Sequence, residues 1–209
     1  MPDLYAPPLD RARGERLSWA DYSADFWQRY AQIYERDSWK FERRQHFVEQ
    51  KSPSRAALGR GDWDGALRLL EDRRESLRKA AEQDQRQRTV FHRVRVTEQP
   101  LTPYLQWELH SLRMKAEYDE IIRVIDAAHV SALEIDGLLP EVVVLGGQTL
   151  YEVVYTDAGV PDGGIRFTEP DLVRGWEDFI RTLFEGGEDI ASYFEREVAP
   201  LPPPQLITE

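Results

Sequence analysis

Apolar positions recur every three or four residues through much of the N-terminal part of the chain, which is the spacing of helices that bury one face. Ser18 and Asp21 have the arrangement of a capping box and predict that a helix begins there. A longer apolar stripe predicts a single helix from Asp62 to Gln87. The residues of that helix predicted to lie in the core are Trp63, Leu67 and Leu70.

The segment between these helices, residues 38–54, follows neither the helical nor the alternating pattern. It is predicted to be partly extended and to end at Ser52, because a residue before proline avoids the helical conformation. Residues 1–17 are rich in proline and charge, which predicts a loose segment. Residues 18–88 are accordingly interpreted as a helical N-terminal part.

Beyond residue 89 the pattern changes to alternation. Residues 89–97, "TVFHRVRVT", predict a strand, and residues 120–127, "EIIRVIDA", predict another. Between them, Thr102 and Pro103 are a suitable N-cap and first residue for a helix. Strand, helix and strand in this order predict a βαβ unit with parallel strands and a right-handed connection.

Three more strands are predicted downstream, "EVVVLG", "TLYEVVYTD" and "GGIRFT". The first two flank the glycine pair of residues 146–148, which is a hairpin signal. Thr168 and Asp171 are predicted to cap a helix that ends at residues 186–187, and a last helix is predicted over residues 188–198.

Taken together, these elements predict a mixed α/β fold in which an N-terminal helical layer packs on a mixed sheet of about five strands containing one βαβ unit, with helices at the C-terminal end. The sheet domain is assigned to residues 89–198. Residues 199–209 are predicted to form an extended proline-rich tail.

Composition narrows the classes of protein to consider. Six tryptophans in 209 residues indicate a folded globular chain. The absence of cysteine excludes disulfides, thiolate chemistry and cysteine zinc sites. Without a long apolar run or a secretory h-region, the sequence predicts a cytoplasmic location and no membrane contact.

Charge is distributed unevenly along the chain, whose net charge is -11. Residues 1–100 carry 20 Lys or Arg and 17 Asp or Glu, whereas residues 101–209 carry 7 and 21. Because an acidic surface repels phosphates, the sequence predicts no direct binding of nucleic acid. The mildly basic N-terminal half could still meet an acidic partner.

A candidate binding site centres on the stretch "RVRVTEQPLTPYLQWEL". Alternation places both arginines of "RVRV" on one strand face, and helical spacing places two aromatic residues and a glutamate on one stripe of the next helix. The upstream "WKFERR" is expected to form the wall. The predicted site residues are Arg43, Arg93, Arg95, Tyr104, Trp107 and Glu108.

Two interpretations of this cluster remain open. In the first, the N-terminal helical layer covers the aromatic residues, and Arg–Glu bridges fix it in place. In the second, the strand end and the helix start form an anion pocket, because the free N–H groups after Thr102 and the guanidinium of Arg95 favour negative charge. Arginine can form bidentate hydrogen bonds with a carboxylate or phosphate. The ligand of such a pocket would therefore be an anionic small molecule or an acidic side chain of a partner.

Motifs of catalysis and of cofactor binding are not found. The four histidines, His46, His92, His110 and His129, have no metal-ligand spacing, and the glycine pair at 146–147 lacks the Lys-Ser or Lys-Thr of a phosphate loop. The order of elements would suit a phosphodiesterase-like α/β fold, but its His-x-Lys motif is missing. The sequence therefore predicts no cofactor, no metal and no identifiable catalytic residue.

The pattern Arg93-Val94-Arg95-Val96, followed by Pro100, Tyr104 and Glu108, resembles a family of actinobacterial proteins that forms a domain of unknown function. The stretches "WKFERRQHFVE" and "LYEVVYTDAG" resemble it as well, so the similarity spans roughly residues 20–195. Members are often encoded beside helix-turn-helix regulators. The resemblance therefore implies an accessory role in regulation, with such a regulator as the partner.

The favoured hypothesis is a non-enzymatic interaction or ligand-sensing protein that is accessory to a transcriptional regulator. One alternative is an enzyme of small-molecule or phosphoester chemistry that uses Arg93, Arg95 and Glu108. Another is an acidic inhibitor that mimics nucleic acid with the C-terminal half of the chain. The first predicts aromatic and charged surface around the helical layer, the second a concave pocket, and the third rows of exposed carboxylates.

Overall fold

Eight strands form one mixed sheet at the centre of the protein. The structure is a computed structural model and describes residues 4–205. The strands are β1 Glu15–Leu17, β2 Ser38–Glu42, β3 Phe91–Thr97, β4 Ile121–Asp126, β5 Val142–Leu145, β6 Thr149–Tyr155, β7 Pro161–Phe167 and β8 Glu188–Asp189. Their order across the sheet is β1-β7-β6-β5-β2-β3-β4-β8.

Residues 4–205 also form seven α-helices: α1 Trp19–Tyr30, α2 Pro53–Gly59, α3 Trp63–Glu71, α4 Arg74–Gln87, α5 Pro103–Ala116, α6 Pro170–Gly186 and α7 Ile190–Tyr193. Helix α6 covers one face of the sheet. On the other face, α1 lies over β5, β6 and β7, α5 lies against β4, and α2 and α3 pack on the outside of α5. Within residues 4–205, no helix combines the length and hydropathy needed to cross a bilayer.

The mixed α/β class and the βαβ unit predicted from the sequence are confirmed. Strand β3 pairs with β4 in parallel, and α5 connects them. The hairpin between β5 and β6 is antiparallel, and its glycines at 146 and 147 have φ of 53° and 64°, which side-chain-bearing residues rarely adopt. Strand β7 adds to the same sheet, next to β6.

The number of strands was underestimated, since the sheet has eight rather than about five. Strand β1 lies in the segment predicted to be loose, and β8 in the segment predicted as the last helix. Strand β2 lies in the segment predicted to be partly extended, within the part interpreted as a helical layer, but its place in the middle of the sheet, parallel to β3 and antiparallel to β5, was not predicted. The strand was not recognised because its only apolar residues are Trp39 and Phe41, which alternate with the charged Lys40 and Glu42.

Helix boundaries agree with the sequence at two caps and differ elsewhere. The hydroxyls of Ser18 and Thr102 accept N–H groups of α1 and α5 as predicted. The predicted cap of Thr168 and Asp171 does not form, because α6 begins at Pro170 after Glu169 and has no side-chain cap. The predicted helix from 62 to 87 is two helices, α3 and α4, separated at residues 72–73.

Core placement in α3 is also partly corrected. Leu70 is buried, but Trp63 and Leu67 are only partly buried, because α3 packs at the outside of α5 rather than on the sheet. Parts of two predictions, the loose segment at residues 1–3 and the tail at residues 206–209, lie outside the described residues.

Candidate functional site

The two arginines of β3 point to the sheet face that α5 covers, as the alternation predicts. The parallel register places Lys40 beside Arg93 and Glu42 beside Arg95 on the same face. Four charged side chains from two neighbouring strands are thus buried or half-buried beneath α5. Burying charge is costly unless each group is paired, so the arrangement depends on its partners.

Arg95 is fully enclosed, with 0% of its surface exposed. Its Nε donates to Glu108 Oε2 at 2.8 Å, and its Nη2 lies 2.8 Å from the same oxygen. Its Nη1 donates to the backbone carbonyls of Glu42 at 3.2 Å and Val96 at 3.0 Å. The guanidinium is therefore surrounded by groups of the protein itself, and Nη2 takes part in the ion pair without forming a hydrogen bond.

Glu108 and Tyr104 meet on one stripe of α5, as predicted. The Tyr104 hydroxyl lies 3.1 Å from Glu108 Oε1 and 2.9 Å from Glu49 Oε1. The neighbouring Trp107 donates from Nε1 to the hydroxyl of Ser54 in α2 at 2.8 Å. The aromatic stripe is thus covered by α2 and α3, which is the first of the two interpretations drawn from the sequence.

Arg93 organises the other half of the buried cluster. Its Nη1 lies 2.6 Å from Glu42 Oε2, and its Nε donates to Glu120 Oε1 at 2.6 Å. Lys40 Nζ lies 2.5 Å from the other oxygen of Glu42. Lys40 and Glu42 lie in the predicted "WKFERR" wall, but their ion pairs were not predicted, and Glu120 was missed because its partner, Arg93, is distant in sequence.

Burial and neighbouring charges shift the pKa values of the carboxyls in opposite directions. Burial disfavours ionised Glu42, but Arg93, Lys40 and Arg95 outweigh it and hold its pKa well below the usual range. Burial raises the pKa of Glu108, and Arg95 offsets this only in part. Structural ion networks as well as catalytic sites perturb pKa values in this way, so these shifts do not assign chemistry.

Glu141 is the fourth carboxyl of the cluster and was also missed. Its Oε1 accepts the backbone N–H groups of Arg43 at 3.0 Å and Arg44 at 2.6 Å. Burial and the charge of Glu42 raise its pKa to about 7. The side chain therefore exchanges its proton near neutral pH while holding the end of β2 in place.

Arg43 does not join the other predicted site residues. Its Nε and Nη2 donate to the two oxygens of Glu134 at 2.7 and 2.9 Å, and its Nη1 donates to Glu98 at 2.6 Å. Glu134 belongs to the connection between β4 and β5. Arg43 therefore anchors that connection at the carboxyl end of β2, while Arg93, Arg95, Tyr104 and Glu108 converge beneath α5.

The anion pocket was predicted at the carboxyl end of β3, and the side chain of Gln45 occupies this place. Gln45 donates from Nε2 to the carbonyls of Arg43 and Val96 at 2.7 and 3.0 Å, and its Oε1 accepts the N–H of Glu98 at 2.8 Å. The hydroxyl of Thr102 lies 3.1 Å from the carbonyl of Gln45. Binding of an anion by the predicted residues stays a prediction.

An open cavity of about 830 Å³ lies instead at the opposite, amino ends of β3 and β4. Its walls come from the last turns of α4 and α5, the turn before β4, and the start of α7. The carboxylates that line it are Asp84, Glu117, Asp119, Glu120 and Asp189, and the cations are Arg88 and Arg113. Within residues 4–205, no group of three His, Asp or Glu side chains is arranged to hold a metal ion.

A solved structure of TrmBL2, described as an archaeal chromatin protein with a novel mode of DNA binding, aligns with a TM-score of 0.41 and 8% sequence identity. The alignment covers 84% of this chain and 54% of the TrmBL2 chain, so this chain spans about half the length of that protein. A similarity this weak carries no inference about activity. No curated protein is significantly similar in sequence.

Similarity at the family level is much more extensive. Residues 24–195 match the family model described as a domain of unknown function, DUF6879. The match includes the strand β2, the whole buried ionic cluster and the cavity. Because it covers most of the 209 residues, the chain belongs to the DUF6879 family.

Proposed function

We propose that the protein is a non-enzymatic interaction protein of the cytoplasm, accessory to a transcriptional regulator of the helix-turn-helix class. The observation that carries the proposal is a contrast in access. The Arg95–Glu108 pair is enclosed and bound to the protein's own groups, whereas the cavity at the amino ends of β3 and β4 is open. The buried cluster then holds the layers together, and the open surface meets the partner.

The enclosed cluster speaks against the enzymatic alternative. A substrate at Arg93, Arg95 and Glu108 would have to displace the pairs at 2.6 and 2.8 Å that neutralise these groups. Breaking a buried ion pair costs about 3–5 kcal/mol. The same cost applies to an anionic small molecule as ligand, so a structural role fits the cluster better.

The arrangement of surface charge speaks against a mimic of nucleic acid. On α6, in the acidic C-terminal half, Asp171 pairs with Arg174 and Glu177 pairs with Arg181. Carboxylates alternating with arginines on the same helix do not reproduce a row of uncompensated phosphates. The proposal also includes no direct contact with DNA, since the net charge is -11.

Co-expression of the full chain with each helix-turn-helix regulator of its own genome tests this proposal. We expect one regulator to co-purify with the chain. The variant Arg95→Gln separates the two roles of the cluster: a structural residue lowers the melting temperature, and a ligand-binding residue abolishes the interaction at unchanged stability.

Hydrolysis assays with generic phosphodiester and ester substrates test the enzymatic alternative. Activity of the purified chain that disappears in Glu108→Gln, with the fold intact by circular dichroism, would favour the enzyme. The absence of any co-purifying regulator would remove the regulatory part of the proposal.

A further inference from the structure

The cavity lies where several chain ends meet, rather than inside one element. Residues 85–88 at the end of α4 and 113–117 at the end of α5 form two walls, and the floor includes Val90, just before β3, and Ile121, the first residue of β4. Its volume of about 830 Å³ falls within the usual range of ligand sites. It can accommodate several side chains of a partner.

The lining contains five carboxylates and two guanidiniums; Glu117 pairs with Arg74 and Asp189 lies 3.9 Å from Arg123, but Asp84 and Asp119 have no such partner within residues 4–205. One of the guanidiniums, Arg88, turns to Glu35 at 2.5 Å, and the other, Arg113, lies 3.4 Å from Glu195. The carboxyl ends of α4 and α5 add the partial negative charge of two helix dipoles. The field in the cavity therefore favours a cation.

Three of the carboxylates retain capacity for a guest. Asp84 accepts the Tyr30 hydroxyl at 2.9 Å on Oδ1, and Asp119 accepts Gln85 Nε2 at 2.6 Å on Oδ2. Glu120 accepts Arg93 Nε on Oε1. Among residues 4–205, the second oxygen of each accepts no hydrogen bond, so each can still bind an N–H donor.

Asp84 and Asp119 form no ion pair within residues 4–205, whereas Glu120 is already paired with Arg93. Burial raises the pKa of Asp84, and the charges of Glu120 and Asp119 raise it further, although the Tyr30 hydroxyl lowers it. An ammonium or guanidinium placed between them would remove this repulsion. A guest cation is thereby stabilised by more than one carboxylate.

The floor of the cavity is apolar, which restricts the kind of cation. Val90, Ile121, Ile122 and Ile190 line it, and 40% of the surface of Ile121 is exposed to solvent. A bare metal ion would gain nothing from this floor. Lysine and arginine carry an aliphatic stem beneath the charge, and apolar neighbours in a peptide would cover the isoleucines.

We infer that this cavity binds a basic, amphipathic segment of a partner protein, with its lysine or arginine head groups on Asp84, Asp119 and Glu120 and its apolar side chains on the Ile121 floor. The inference rests on the proposed function, because it names the chemistry of the partner. It differs from the expectation of an anionic guest both in place and in charge.

Fluorescence anisotropy with a defined probe tests the inference. The probe is a fluorescein-labelled amphipathic peptide of leucine and lysine, and its control is the same peptide with glutamate in place of each lysine. The full chain is titrated at low and at high salt. We expect the lysine peptide alone to bind, and its binding to weaken with salt.

The double variant Asp84→Asn with Asp119→Asn removes two charges and keeps the acceptors for Tyr30 and Gln85. Asparagine also tolerates the φ of 68° at residue 119. We expect it to raise the Kd for the lysine peptide by about tenfold, which corresponds to about 1.4 kcal/mol. Ile121→Gln should weaken binding as well, at an unchanged melting temperature.

The matched control is Asp171→Asn with Asp178→Asn, two exposed residues on α6, on the other face of the sheet. It makes the same change in net charge and should leave the Kd within about twofold. Equal weakening by both double variants would show that binding follows net charge and would overturn the inference. Failure of the lysine peptide to bind at low salt would overturn it as well.

Co-purification distinguishes this inference from the proposed function. A regulator that binds the chain and is unaffected by the Asp84 and Ile121 variants would leave the proposed function intact and refute the assignment of the cavity. If the lysine peptide binds in the cavity but no regulator co-purifies, the assignment of the cavity would stand and the proposed regulatory function would fall.

Discussion

The sheet face beneath α6 is almost wholly apolar, whereas the face beneath α5 carries Lys40, Glu42, Arg93 and Arg95. Beneath α6, large side chains such as Phe41 and Phe167 pack against Trp176 and Phe179. Polar residues on that face include His92, which stacks on Trp39 with ring centroids 4.0 Å apart, and Glu152, which is buried and pairs with Arg11. Both faces arise from the same strands, whose alternate residues point to opposite sides.

This difference separates two tasks of a folded core. Apolar side chains can pack favourably in many different arrangements. Apolar packing therefore stabilises the fold without defining which segments lie next to each other. The ionic face tolerates far fewer arrangements, because each charge needs a partner from another segment, such as Glu108 from α5 or Glu120 from the turn before β4. We therefore expect the apolar face to supply stability and the ionic face to define which segments meet.

One of the two largest effects is expected on the ionic face, from Arg95→Gln. The change leaves Glu108 without its partner and removes a charge that also acts on Glu42 and Glu141, so unfolding should become easier by about 3–5 kcal/mol. The loss should shrink as the pH falls, because burial raises the pKa of Glu108 and a protonated Glu108 no longer needs a cationic partner. Urea denaturation at two pH values measures both.

A second variant checks the cause of that loss. Arg95→Gln combined with Glu108→Gln removes the uncompensated carboxylate and should recover part of the stability. Equal stability of Arg95→Gln and the wild type would contradict the view that the ionic face joins the layers.

On the apolar face, Phe41→Ala should cost about 3–5 kcal/mol, because the ring is fully buried and leaves a cavity. Unlike the loss at Arg95, this loss should not depend on pH, since no titrating group is uncovered. The same denaturation series provides the comparison. A pH-dependent loss at Phe41 would mean that the two faces are not independent.

Between acid and alkaline pH, Glu141→Gln should shift the free energy of unfolding relative to the wild type by up to about 3 kcal/mol. The pKa of Glu141 is about 7 in the folded protein and near 4.5 when unfolded, so its stabilising contribution is complete below 4.5 and is lost as the pH rises through 7. Glutamine keeps the acceptor for the N–H groups of Arg43 and Arg44 and has no charge to bury.

The variant should therefore be more stable than the wild type at pH values above the folded pKa, and the advantage should fade in acid. Thermal melts across this range measure the difference. The exposed Glu185→Gln serves as the control for charge and should give a nearly parallel curve. A parallel curve for Glu141→Gln as well would show that Glu141 stays ionised in the folded protein.

The smallest effect is expected outside the sheet, from Trp63→Ala. Trp63 is partly buried on α3 and packs edge-on against His110, so its removal should cost about 2 kcal/mol, less than that of a fully buried ring. Thermal melts compare it with Phe41→Ala. A cost as large as that of Phe41→Ala would show that the outer helical layer contributes as much as the sheet.

The sequence predicted well those parts of the fold that local signals define. The βαβ unit, the hairpin at residues 146–147 and the caps at Ser18 and Thr102 each depend on residues close together in the chain. The convergence of Arg93, Arg95, Tyr104 and Glu108 was also predicted, because two periodic elements joined by one connection bring their stripes together.

The central position of β2 was not predicted, because its neighbours, β3 and β5, lie far along the chain and its side chains alternate between charged and apolar. The partners Glu120 and Glu141 were missed because a glutamate that will be buried looks like any other in an acidic sequence. The cavity could not be predicted either, since the ends of four separate elements build it.

The placement of β2 has a consequence for synthesis of the chain. This strand leaves the ribosome long before β3 and β5, so its edges stay unpaired while the intervening residues are made. An unpaired apolar strand would associate with other chains, but Lys40 and Glu42 keep one side of this one hydrated until β3 brings Arg93 and Arg95 beside them. The charges that define the folded interior thus also protect the nascent polypeptide from aggregation.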